Sequence, residues 1–180
     1  MKKVLYILGL LEDRDVDWMT SVGTKVVLRP GQKLVEEGVQ AEAVSIIVQG
    51  SMDIVVGGRT LANVGSGEIV GEISLLDSRP PSATVLATSP TQVLSISIHD
   101  MKSRLASDPG FAGRFYHALA VFLAQRLRRN NLQLLVGTSK EIVMDQDSLD
   151  EMDEIDPDVL EQITLAGNRF QMIMAKLNGA

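Results

Sequence analysis

Between Thr24 and Ile98 the chain breaks into short β-type runs about ten residues apart, and glycine marks most of the reversals. Lys25–Leu28 is β-branched and apolar and is cut off by Arg29-Pro30-Gly31. Ala43–Val48 is a second apolar run, bounded by Gly50. Met52–Val56 stops at Gly57-Gly58, a dipeptide suited to a two-residue hairpin turn, with Thr60–Val64 as its partner strand. Gly65, Gly67 and Gly71 punctuate the next stretch, and Thr84–Ala87 and Gln92–Ile98 complete the series. In the last run Leu94, Ile96 and Ile98 alternate with Ser95 and Ser97, the pattern of a half-buried strand. Short strands at this spacing predict an antiparallel sandwich or jelly roll, because the alternating βα pattern of a parallel sheet is missing. The fold class expected is mainly β with flanking helices.

The helices lie on either side of this zone. Residues 2–21 read as a helical lead, with Leu8, Leu11, Val16, Trp18 and Met19 as its apolar groups. His99-Asp100 starts a short helix that ends near Asp108-Pro109-Gly110. A long helix occupies 111–135, with Phe115, Leu119, Phe122, Leu123 and Leu127 as its apolar stripe and Gly137 as its stop. Arg126, Arg128 and Arg129 near its end complement the helix dipole and read as a solvated face. Asp156-Pro157 supplies an N-cap and a first-turn proline for a last helix, which carries Val159, Leu160, Ile163, Phe170, Ile173, Met174 and Leu177 on one side and ends at Gly179. The organisation expected is a body over 1–136, an acidic linker over 137–156 and an amphipathic helix over 157–179.

Charge and composition narrow the function classes. Residues 140–161 hold ten of the 23 acids, whereas residues 1–139 carry 13 acids against 14 bases. A balanced body with an acidic tail is a poor match for a phosphate backbone, so no DNA binding is expected. Cysteine is absent, which excludes thiolate metal sites and cysteine nucleophiles and suits a reducing, cytoplasmic setting. His99 and His117 are the two histidines, too few for a multi-histidine metal centre of a jelly-roll enzyme. No enzyme activity, cofactor or metal is therefore expected. No apolar run is long enough to span a membrane, and the acids after Val4–Leu11 argue against a secretion signal.

The informative stretch is Gly67–Val85. Gly71 is followed by the acid Glu72 and a short helical turn, Ile73-Ser74-Leu75-Leu76; a proline-constrained loop with Arg79, Pro80 and Pro81 leads to the small residues Ser82, Ala83 and Thr84. Backbone N–H groups at a helix start favour an anion, small side chains allow close approach, and a carboxylate accepts hydrogen bonds from a sugar hydroxyl. A surface loop with turn residues would share these features.

The order of the residues is more specific. Gly71-Glu72-Ile73-Ser74-Leu75 and Ser82-Ala83-Thr84 resemble the phosphate-binding cassette of cyclic-nucleotide-binding domains. Arg29-Pro30-Gly31-Gln32-Lys33-Leu34 with Glu37-Gly38, Ile46-Ile47-Val48-Gln49-Gly50, and Gln125-Arg126-Leu127-Arg128 resemble that family's early strand-turn signature, its following strand and its closing helix. The likeness covers about residues 5–135. It implies an antiparallel jelly roll with a long C-terminal helix, here with an extra tail helix and without the DNA-binding domain of the catabolite-activator-like regulators. It also implies cyclic AMP or cyclic GMP as ligand, bound by Val70, Gly71, Glu72, Ile73, Ser74, Arg79, Ser82, Ala83 and Thr84.

One position departs from the family. Its phosphate-gripping arginine would stand where this chain has Pro81, which carries neither charge nor N–H. A lost charge-assisted bond would cost about 1.5–3 kcal/mol. Three readings stay open: Arg79 swings in, backbone groups with Ser82 and Thr84 suffice, or the fold serves as a protein-interaction module without nucleotide. Asn130 and Asn131 are candidates for the purine edge, with solvated helix positions as the plainer reading. The function expected is a non-enzymatic sensor that signals to an unidentified protein partner through its C-terminal helices, with the 111–135 helix as a possible homodimer seam.

Overall fold

The apolar runs of the middle zone form two four-stranded antiparallel sheets. The computed structural model describes residues 5–77, 79–138 and 157–179. The strands are β1 (Thr24–Leu28), β2 (Lys33–Val35), β3 (Ala43–Gln49), β4 (Ser51–Val56), β5 (Arg59–Gly65), β6 (Ile69–Val70), β7 (Thr84–Ala87) and β8 (Thr91–Ser97). One sheet has the order β1-β8-β3-β6 and the other β2-β7-β4-β5. The helices are α1 (Leu5–Leu10), α2 (Asp13–Val22), α3 (Glu72–Asp77), α4 (Ile98–Ser107), α5 (Pro109–Thr138) and α6 (Pro157–Asn178). This is the expected jelly roll with flanking helices, a long helix and a tail helix.

The centre of the first sheet, β3 with β8, is covered on both faces, and its sequence shows why. β3 reads almost continuously apolar, as a doubly covered strand does. Its Ile47, with Leu28, Val70 and Val93, faces Met52, Val64, Val85 and Ala87 of the second sheet. Val44, Ile46, Val48, Ile69, Leu94 and Ile96 point the other way, into a second core built with the helices. Buried Ser45 on β3 donates to Ser95 on β8 across 3.1 Å, which satisfies the polar group inside this layer. The alternation read in 92–98 is thus two-sided, with Val93 serving one core and Leu94 and Ile96 the other, and Ile98 already opens α4. The second sheet is more exposed, as β5 shows. Gly57 and Gly58, both at positive φ (54° and 80°), close the β4–β5 hairpin.

The helical lead is two helices. Asp15 Oδ2 accepts the Glu12 N–H at 2.9 Å, which starts α2 and breaks the lead after α1. Phe111, Phe115, Ala118, Leu119 and Phe122 of α5 are buried in the helical core, whereas Leu127 is 61% exposed. The stripe runs 115, 119, 122 and then 126, so helical periodicity puts Arg126, not Leu127, on the inner line. Gly137 does not stop α5, which continues to Thr138.

α6 folds back onto the N-terminal helices. Ala166 and Ile173 are buried there, with Phe170, Met174 and Leu177 packed beside them. Buried Arg169 donates to Asp13 Oδ1 at 2.7 Å and to the carbonyls of Leu8 and Gly9 at 2.9 and 3.1 Å, capping the end of α1. Lys176 pairs with Asp17 at 2.7 Å, and Lys25 of β1 donates to the Leu177 carbonyl at 3.1 Å. The side chains of Val159, Leu160 and Ile163, and the acidic segment expected at 137–156 from residue 139 on, lie outside the described residues.

Candidate functional site

β6 is two residues long and pairs with β3 through Ser45–Val70 and Ile46–Ile69. The chain must then turn sharply over β3. Gly71 does this at φ +85°, and a Cβ there would lie 2.5 Å from the Ala43 carbonyl oxygen. α3 begins at once with Glu72, and buried Leu75 anchors α3 in the helical core. The second half of the segment is held from β2's exit. Gly38 N–H donates to the Pro81 carbonyl at 2.8 Å, and Glu37 N–H donates to Thr84 Oγ1 at 3.1 Å. Glu37 Oε2 in turn accepts the Gly57 N–H at 3.2 Å, tying the hairpin to the same loop.

A cavity of about 550 Å³ opens between these parts. The second sheet lines it with Val35, Ile54, Val56, Leu61, Ala62 and Val85, and α5 adds Leu123 and Arg126. Of the residues expected from sequence, Val70, Gly71, Glu72, Ile73, Ser74, Ser82 and Ala83 line it, and so does Pro81. Arg79 and Thr84 are not among its walls. Arg79's side chain is 84% exposed, its own N–H is bonded to Asp77 Oδ1 at 3.0 Å, and its guanidinium stands 4.0 Å from Asp77 Oδ2. Thr84 engages its hydroxyl with Glu37. Asn131 is exposed on α5, and the side chain of Asn130 lies outside the described residues.

The walls are mostly apolar, and one charged pair stands in them. Glu72 is 2% exposed, and its Oε1 accepts from Arg126 Nη1 at 2.6 Å. Burial pushes the Glu72 carboxyl above its ordinary value, and the Arg126 guanidinium pulls less strongly the other way. Arg126 also lies 5.5 Å from the centre of the Phe122 ring, on whose turn of α5 it stacks. Sequence alone puts Arg126 in a solvated basic triplet. The available signal is its spacing: it continues the 115, 119, 122 line, and a charge on an apolar stripe marks a buried or functional position. An apolar chamber with a few convergent polar groups is the usual form of a small-molecule site.

Residues 25–108 match the family model of the cyclic nucleotide-binding domain. This segment is a cyclic nucleotide-binding domain. The chain is 32% identical over 129 residues to the cyclic AMP receptor protein of Thermus thermophilus, an alignment covering 69% of this chain and 58% of the receptor. It is 35% identical over 68 residues to a cGMP-dependent protein kinase of Toxoplasma gondii, covering 38% of this chain and 7% of the kinase. The chain thus spans less than two thirds of the length of these curated relatives. A cyclic nucleotide-binding domain from Methylobacillus flagellatus superposes with a TM-score of 0.68 at 24% identity, over 78% of this chain and 85% of that one. This last likeness is one of fold. Among the described residues no helix is long and apolar enough to cross a membrane, and no group of three or more histidine, aspartate or glutamate side chains is placed to hold a metal ion.

Proposed function

We propose that this chain is a regulatory domain that binds a cyclic nucleotide in the cavity between the cassette and α5 and relays its occupancy to a protein partner without catalysing a reaction. The observation that carries this reading is Glu72: a buried carboxylate beside a mostly apolar chamber, on the segment whose residues match the family's cassette. A carboxylate there accepts a ribose hydroxyl, while the apolar walls cover the base. The relatives named for cyclic AMP and cyclic GMP leave both nucleotides as ligands to be tried. α5 contributes Leu123 and Arg126 to the cavity and carries exposed Tyr116 and Leu127 outside it, so it is the element through which occupancy reaches a partner or a second copy of the chain.

Isothermal titration calorimetry with cyclic AMP and cyclic GMP tests this. Binding of one or both is expected, weakened about tenfold or more by Glu72→Ala. No heat with either nucleotide at millimolar concentration overturns it. A second reading, a protein-interaction module that has given up nucleotide, is favoured by Pro81, a neutral residue without an N–H within the cavity wall.

A further inference from the structure

We infer that the group gripping the ligand's phosphate is Arg126, supplied by α5 and not by the cassette; this rests on the nucleotide reading above. A 3′,5′-cyclic nucleotide carries one negative charge, on a phosphate fused to the ribose. A site for it needs a cation within a few ångströms of whatever holds the 2′-hydroxyl. Arg126 is the one cationic side chain among the described residues lining the cavity. It stands against Glu72, the carboxylate that would take the hydroxyl, with Nη1 at 2.6 Å from Oε1. The fused rings of the ligand and the adjacency of the two side chains therefore match.

The side chain is also prepared for the task. Arg126 is 19% exposed, so its charge is partly desolvated, and contact with the Phe122 ring steadies it. Glu72 engages Nη1, and a guanidinium is a planar fork of five N–H donors that can serve a second anion through the others. Arg79, the cassette's own arginine, points to solvent and is bonded within its own turn. Pro81 offers the phosphate nothing. With the carboxylate on α3 and the cation on α5, the ligand bridges two elements that are 54 residues apart in sequence. Occupancy then depends on where α5 lies, and the position of α5 on occupancy.

The test compares cyclic AMP with adenosine, and cyclic GMP with guanosine, by calorimetry on wild type, Arg126→Ala, Arg79→Ala and the double variant Arg126→Ala/Pro81→Arg. The ratio of cyclic-nucleotide to nucleoside affinity reads the phosphate contact and not general stability. In Arg126→Ala it should fall about ten- to a hundredfold, in Arg79→Ala it should stay as in wild type, and Pro81→Arg should restore part of it. Should Arg126→Ala not fold, Arg126→Gln keeps a donor for Glu72 and is expected to lower the ratio likewise. A ratio unchanged by loss of Arg126, or one that collapses in Arg79→Ala instead, overturns the inference while leaving nucleotide binding intact. No binding of any cyclic nucleotide by wild type overturns the nucleotide reading and this inference together.

Discussion

Arg114 of α5 grips Asp15 of α2 with two nitrogens, Nε 2.7 Å from Oδ2 and Nη2 2.9 Å from Oδ1. Asp15 is fully buried, and its Oδ2 also starts α2 by accepting the Glu12 N–H. Replacing it removes a helix start and an interhelical clamp together, and leaves Arg114 with Glu12, 3.0 Å away, as its remaining carboxylate partner. Asp15→Ala should lower unfolding free energy by about 2–4 kcal/mol, measured by urea denaturation.

The same residue makes the fold sensitive to acid. Burial pulls the Asp15 carboxyl up, but the Arg114 hydrogen bonds, the Glu12 N–H and Arg114's charge together hold it below its ordinary value. A depressed carboxyl contributes stability that is complete above its unfolded value of about 3.9 and is lost as pH falls through the lower folded value. Glu72 works with the opposite sign, since its raised value costs stability above that value and the cost is relieved on acidification. Melting temperature followed from pH 7 to 3 should therefore fall less steeply in Asp15→Asn than in wild type, and more steeply in Glu72→Gln.

Two glycines should respond oppositely to alanine. Gly71 sits at φ +85° with the Ala43 carbonyl 2.5 Å from where a Cβ would be, so Gly71→Ala should cost about 2 kcal/mol or more and displace Glu72 from the cavity. Gly113 lies in α5, where a Cβ would meet no atom within 4 Å beyond its chain neighbours and the helix's own backbone, and Gly113→Ala should stabilise by about 0.5–1 kcal/mol. Thermal denaturation reads both, and nucleotide titration reads the loss at Gly71.

α6 packs on its own domain, and its removal should show. Deleting residues 157–179 strips the cover from α1 and removes Arg169, whose N–H groups satisfy the Leu8 and Gly9 carbonyls. The expected outcome is a clear drop in melting temperature, reproduced in part by Arg169→Ala. An unchanged melting temperature would instead mark α6 as a helix held for another protein.

The sheet framework was legible because most of the long strands alternate or are continuously apolar and are followed closely by glycine or proline. β4, β7 and β8 fall within one or two residues of their expected bounds. β2 and β6, at three and two residues, are too short for any period to show and are made by pairing with β7 and β3. The split between α1 and α2 hung on a capping contact, Asp15 to Glu12, which the acidic run concealed. The cassette half of the site was readable because its residues are contiguous. Its other wall was not: Val35, Ile54 and Leu61 read as ordinary strand residues, and the meeting of Glu72 with Arg126 is a product of the path that α5 takes over the roll.

α1 is packed against both α5 and α6. It is a wedge shared by the helix that lines the cavity and the helix that closes the chain's described course. Close-packed layers resist opening a gap, so a movement of α5 away from α1 is expected to draw α1 and α6 with it. The six residues of α1 thereby join the helix that carries Arg126 to the last helix of the described chain.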